Sequence, residues 1–271
     1  MTISLYTQRV FHGTTDISVQ VSDFRTSTVA VSYTAGQYIY VGSPVPFNNL
    51  WIDMSSVSAS NAGTPVVEVR WGQAWHSAVD IIDGTNGMQA VGRISWALNR
   101  LKGWDIELDS SDVGLTGTYI HNRYWLRLSW ASNFTATFQY IGQKFSNDTV
   151  LRSYYPDLLQ SALLTGFQSG KTSWDDQHYI AAEHIFKDLQ KRGMILNQRQ
   201  VFDWSSFEEA SCHRVACIVY QAFGKPYADN LLDATKRYEA DMGQRQMNID
   251  TNMDGHLSEP EEKDRQGWMT R

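Results

Sequence analysis

The apolar pattern of this 271-residue chain changes its period partway along, and that change restricts the fold more than any other feature. Up to about residue 146, Val67, Val69 and Trp71 alternate with Val66, Glu68 and Arg70. Likewise Tyr124, Leu126, Leu128 and Trp130 alternate with Trp125, Arg127 and Ser129, and Phe138 and Tyr140 continue beyond a short loop. A period of two places successive side chains on opposite faces of a strand, so one face can be buried. Further β-like runs lie at residues 3–5, 17–21, 28–33, 38–41, 50–52 and 92–96, with turn signals such as Asp83-Gly84, Asn86-Gly87 and Ser43-Pro44 between several of them. Many short strands so spaced predict an antiparallel sandwich, jelly-roll-like, over residues 1–146.

Past Pro156 the period becomes 3.6. A first helix is expected over residues 156–167. Ser173 with Asp176 forms the capping-box pattern for a second, which carries Tyr179, Ala182, Phe186 and Leu189 on one face and stops at Gly193. A third begins near Asp203 or Ser206, buries Phe207, Ala210, Val215, Ile218 and Ala222, and ends at Gly224-Lys-Pro226. The fourth covers residues 227–247 with Leu231, Ala234, Tyr238 and Met242. The expected organisation is therefore α+β with two domains: a sandwich over 1–146, a helical bundle over 147–247, and a distinct C-terminal loop over 248–271.

That loop reads Asp250-Thr-Asn252-Met-Asp254-Gly255-His256-Leu257-Ser258-Glu259-Pro260-Glu261 and fills the EF-hand template D-x-N-x-D-G-x-L-S-x-x-E. Calcium takes six to eight oxygens. Asp250, Asn252 and Asp254 supply side chains, His256 its carbonyl, Ser258 a hydroxyl or a water, and Glu261 a bidentate carboxylate. Gly255 allows the sharp turn, and Pro260 suits the first turn of an exiting helix. A single loop of this kind is expected to bind weakly, on the order of 10⁻⁴–10⁻³ M, and to fix the C-terminus rather than to signal.

Composition narrows the partners. The net charge is −6, with −5 of it in residues 147–271, and no run of Lys or Arg forms a stripe. Sequence-independent nucleic-acid binding is thereby disfavoured. No apolar stretch approaches the length of a membrane span, and the first ten residues lack the pattern of a secretory signal. Cys212 and Cys217 read as small buried core residues of a reduced, intracellular chain; with His213 they lack the second ligand pair of a metal cluster. Seven of the ten tryptophans fall in the β half, which fits packing on pleated surfaces better than a sugar-stacking platform. Trp75 and Trp104, in loop-like surroundings, and Trp268 near the end are the candidates for contact with a partner.

No nucleophile elbow, Walker loop, dinucleotide fingerprint or H-E-x-x-H occurs. His178 and His184 lie six apart on different helix faces, and Glu183-His184 and Glu208-Glu209 are pairs usual on solvated helices. The expectation is a protein that is not an enzyme.

The stretch from Tyr154-Tyr-Pro-Asp-Leu-Leu to Tyr238-Glu-Ala-Asp-Met242, a third of the chain, resembles the helical core of tailed-phage head–tail connector (adaptor) proteins. The order of parts carries the resemblance. A short helix is followed by a long one ending in Arg192-Gly193, then by the helix Phe207-Glu-Glu-Ala-Ser-Cys-His-Arg-Val-Ala-Cys-Ile-Val-Tyr220. Last comes Asp233-Ala-Thr-Lys-Arg-Tyr-Glu239, a segment type frequent in that family. Gly92-Arg-Ile-Ser-Trp96 and Tyr124-Trp-Leu-Arg-Leu128 also resemble accessory β-domains of phage neck and baseplate proteins.

The resemblance implies a virion protein, assembled in the host cytoplasm, that forms a homo-oligomeric ring of about a dozen copies. The ring would sit beneath the portal protein, receive neck or tail proteins on its other face, and pass DNA without binding it specifically. The large β half departs from minimal connectors, and the calcium loop is no general feature of that family. The rival expectation is a carbohydrate-binding β-sandwich with a dockerin-like calcium module. Dockerins need two loops and exported proteins a signal, whereas this chain presents one loop and no signal.

Overall fold

Alternation in the first half builds two antiparallel sheets. The strands are β1 (Arg9–His12), β2 (Thr15–Asp16), β3 (Val29–Tyr33), β4 (Ile39–Ser43), β5 (Asn49–Ser56), β6 (Val66–Trp71), β7 (Ala74–Ser77), β8 (Val79–Asp83), β9 (Gly92–Ala97), β10 (Ile106–Glu107), β11 (Arg123–Ser129) and β12 (Phe134–Gly142). One sheet runs β2-β1-β4-β11-β6-β7, with the two-residue β10 beside β11, and the other runs β3-β12-β5-β9-β8. The coordinates are a computed structural model that describes residues 8–25, 27–72, 74–97, 104–107, 122–244 and 249. The chain is α+β and divides into two compact units, one ending at Gln143 and the next beginning at Lys144.

The two sheets share one core. Val10, Val41, Val67, Leu126 and Leu128 come from the first sheet, and Val31, Leu50, Ile52, Ile94 and Phe138 from the second. Each such side chain contributes about 1.5–3 kcal/mol when fully buried. The odd members of β11 point the other way, where Trp125 joins Phe11 and Tyr40 in a separate aromatic cluster. Gly42 lies directly opposite Trp125 on β4, and a Cβ there would stand 2.8 Å from the indole. Only glycine lets that ring lie flat on the neighbouring strand.

Residues 17–21, expected as a strand, form the one-turn helix α1 (Ser18–Val21) instead. The Asp16 carboxylate accepts the Ser18 backbone N–H at 2.9 Å, and the Ser18 hydroxyl accepts the Val10 N–H at 2.9 Å. These local side-chain bonds supply what a strand partner would otherwise supply. The run at 3–5 lies outside the described residues.

The second unit comprises α2 (Asp148–Tyr154), α3 (Ser161–Phe167), α4 (Asp175–Lys191), α5 (Glu208–Phe223) and α6 (Ala228–Gln244), joined in places by short 3₁₀ turns. Helix α2 has no counterpart among the expected helices. It starts because Asn147 caps it, its side chain accepting the Val150 N–H at 3.0 Å. The helix expected over 156–167 is broken at Gln160, whose backbone is extended between the turn Pro156–Leu159 and α3. The Ser173/Asp176 capping box does not form: Trp174 holds the N-cap position, and the Ser173 hydroxyl donates to the Asp175 carboxylate at 2.9 Å.

Tyr179, Ala182, Phe186 and Leu189 are buried along α4 as the 3.6 period requires, and Phe207, Ala210, Val215, Ala234, Tyr238 and Met242 are buried as well. Ile218 and Leu231 are half-buried, and Ala222 is exposed at the end of α5. No helix among the described residues is long and apolar enough to cross a membrane.

Candidate functional site

Two polar clusters sit inside the helical unit. The first links the segment entering α2 to α4 and α5. Ser146 Oγ lies 2.7 Å from both His178 Nδ1 and Ser211 Oγ, and His178 Nε2 lies 3.1 Å from Asp148 Oδ1. One direction of donation satisfies every member. Ser211 donates to Ser146, Ser146 to Nδ1, and Nε2–H to Asp148. Asp148 also accepts the Trp174 backbone N–H through both oxygens at 3.2 Å. Beside it the fully buried ammonium of Lys144 pairs with Asp175 at 3.2 Å. Burial pulls the Asp175 carboxyl upward, but Lys144 and the Ser173 hydroxyl outweigh that and hold it below its usual range.

The order hydroxyl, imidazole, carboxylate has the ingredients of a nucleophilic triad. Its burial argues for a different task, because Ser146 is 1% exposed and Ser211 and His178 are fully enclosed. A substrate reaches the Ser146 hydroxyl only if the unit opens. The cluster acts as an internal tie between three elements, and removing one partner would orphan a buried polar group at a cost of about 1–3 kcal/mol.

Burial also lowers the His178 pKa, with the Asp148 hydrogen bond opposing. The unfolded chain therefore takes up a proton near pH 6.5 that the folded chain refuses, so folding stability falls as pH drops below about 6.5. His184 shifts the same way through burial and Arg214 and adds to the trend. Urea unfolding at pH 7 and pH 5 should give a larger loss for the parent protein than for His178→Gln; equal losses would refute the assignment.

The second cluster spans α5 and α6. Glu209 and His213 stand one turn apart on α5, and Asp241 faces them from α6. His213 Nε2 is 3.7 Å from Glu209 Oε1 and 3.4 Å from Asp241 Oδ2, and the three ligand atoms all lie within 4.8 Å of one another. The imidazole is 3% exposed. Its Nδ1 is 2.8 Å from the Tyr155 hydroxyl, and the rings of Tyr154 and Tyr155 meet it edge-on at 5.9 and 5.6 Å. Burial raises the Tyr155 pKa far above the ordinary phenol value, so its proton stays on oxygen. Glu209, His213 and Asp241 are the residues that could hold a metal among the described ones.

Sequence reasoning set His213 aside because its cysteine neighbours made no ligand set. Cys212 and Cys217 are indeed buried thiols, and burial pushes Cys212 up to about 12. The overlooked signal was Glu209-x-x-x-His213, two ligand types one helical turn apart. Its completion by Asp241, from the next helix, depends on how α5 and α6 pack.

Trp104 is 6% exposed, donates its indole N–H to the Trp125 carbonyl at 3.0 Å, and packs on Phe47 with ring centres 5.0 Å apart. Trp75 sits on β7 rather than in a loop; the Arg127 guanidinium lies 4.7 Å from its ring centre and Tyr40 5.9 Å. Trp268 and the loop ligands Asp250, Asn252, Asp254, His256, Ser258 and Glu261 lie outside the described residues. No family model matches this chain, and no curated protein matches it either.

Proposed function

We propose that this chain is a structural, ring-forming component of a virion, of the head–tail connector type, whose helical unit packs laterally against copies of itself. The observation that carries the reading is the outer side of α6. This helix buries Ala234, Tyr238 and Met242 on one stripe, while Leu232 is 54% exposed among Asp229, Asp233 and Lys236. We take this exposed apolar residue, ringed by charges of both signs, as the point where α6 meets a copy of itself. The polar array around His178 supports the same reading, because it is enclosed and ties helices together.

On this reading the ring contacts a portal protein and neck or tail proteins, lets DNA pass without specific contacts, and assembles in the host cytoplasm. Trp75, Trp104 and Trp268 would serve partners only through what their rings leave uncovered. The Asp250–Glu261 loop would bind Ca²⁺ weakly and fix the C-terminal segment. The competing sugar-binding reading needs open aromatic faces, and Trp75 and Trp104 turn theirs toward side chains of their own unit.

Leu232→Asp introduces a charge at the centre of the proposed contact. Size-exclusion chromatography with light scattering should show the variant shifting to smaller species with an unchanged circular-dichroism spectrum. An identical mass distribution for parent and variant would remove α6 from the interface.

A further inference from the structure

The geometry points to a zinc-class divalent cation site at Glu209, His213 and Asp241, which braces α5 against α6 with Tyr155 as its positioning residue. The inference does not rest on the assembly proposed above.

Spacing comes first. The His213 Nε2 distances to Glu209 and Asp241, 3.7 and 3.4 Å, both exceed the usual N–H···O separation. The 3.4 Å distance equals the edge of a coordination tetrahedron, and the 3.7 Å distance is within about 0.1–0.2 Å of it. Bonds of about 2.0–2.2 Å put neighbouring ligand atoms roughly 3.3–3.6 Å apart. Small rotations of two side chains would close the third edge, which is within 4.8 Å.

Ligand type agrees with that spacing. Two carboxylate oxygens and an imidazole nitrogen are donors that a divalent cation accepts. One nitrogen and two oxygens suit Zn²⁺, with Co²⁺ or Mn²⁺ as substitutes. They do not suit Ca²⁺, which asks for six to eight oxygens. The fourth position falls to water, because the Glu209 side chain remains 36% exposed and gives access from solvent.

An independent feature lies outside the ligand set. The Tyr155 hydroxyl, at 2.8 Å from Nδ1, can accept a hydrogen bond from Nδ1–H and so leave the Nε2 lone pair facing the carboxylates. Ligating histidines usually have their second ring nitrogen held in this way. Tyr155 is the C-cap residue of α2, so a filled site would also anchor the end of that helix.

The test uses the full chain stripped with EDTA and titrated with Zn²⁺ and, separately, Co²⁺. At 100-fold excess over its dissociation constant, Zn²⁺ should raise the melting temperature by roughly 5 °C. Co²⁺ should produce the visible absorption of a tetrahedral site. Asp241→Asn and His213→Asn should lose both responses. Should either fail to fold, Glu209→Gln, at the most exposed ligand, provides the same comparison. Tyr155→Phe should keep the Co²⁺ band and weaken affinity about 10–100-fold. Asp250→Ala should leave both responses intact. The inference is overturned if the parent shows neither response, if the responses persist without His213, or if Asp250→Ala abolishes them.

Discussion

Replacing Trp174 by alanine is expected to remove about 4 kcal/mol of stability and to lower the melting temperature by roughly 10 °C or more. The indole is completely buried at the start of α4. Its N–H donates to the Leu158 carbonyl at 2.8 Å, Phe167 meets it edge-on at 5.1 Å, and the Lys171 ammonium lies 5.3 Å from its ring centre. Its backbone N–H is held by Asp148, so one residue joins the turn after α2, the end of α3 and the start of α4. Alanine would leave a large cavity and an orphaned carbonyl together. Trp174→Phe keeps most of the packing and loses the N–H, so its loss should be less than half as large. Thermal unfolding of the two variants separates packing from hydrogen bonding, and equal losses would contradict the division.

The second large effect is expected in the other unit, at the close approach of β8 and β9. A Cβ on Gly92 would stand 2.1 Å from the Gly84 carbonyl oxygen and 3.2 Å from the Thr85 nitrogen. Both are backbone atoms of a tight connection in which Gly84 N–H donates to the Arg93 carbonyl at 2.7 Å. Backbone cannot swing aside as a side chain can, so Gly92→Ala should destabilise by about 3 kcal/mol, the upper end for overpacking. Gly166→Ala is the control. Its Cβ would meet only Phe223, at 3.6 Å, inside α3, so it should be neutral or slightly stabilising through helix propensity. Similar losses in the two variants, measured by denaturant midpoints, would contradict this account.

The periodic parts of the chain were readable before the structure. Val67 and Val69, and Leu126 and Leu128, face one core because a two-residue period leaves them no other choice. The stripe from Tyr179 to Leu189 lies inward on α4 for the corresponding reason with a period of 3.6. Local side-chain chemistry was harder to read. Asp16 turns a strand-like run into a helical turn, and Ser173 gives its hydroxyl to Asp175 rather than to the backbone. Each outcome is a contest between nearly equal hydrogen bonds, which pattern alone does not decide.

The polar clusters were least legible because their members meet only in three dimensions. Ser146 and His178 are 32 residues apart, and periodicity along one helix relates His178 only to neighbours such as His184. Glu209 and His213 carry a local signal, but Asp241 joins them through the packing of α6 on α5. A helix-face argument finds ligands one turn apart and is blind to the opposing helix.

The most direct test of the central claim, that the helical unit exists to assemble with its own copies, is the mass of the purified full chain in solution across concentration. The account predicts a closed multimer, a whole-number multiple of 30.8 kDa, seen as rings in negative-stain images. A single 30.8 kDa species at every concentration would contradict it.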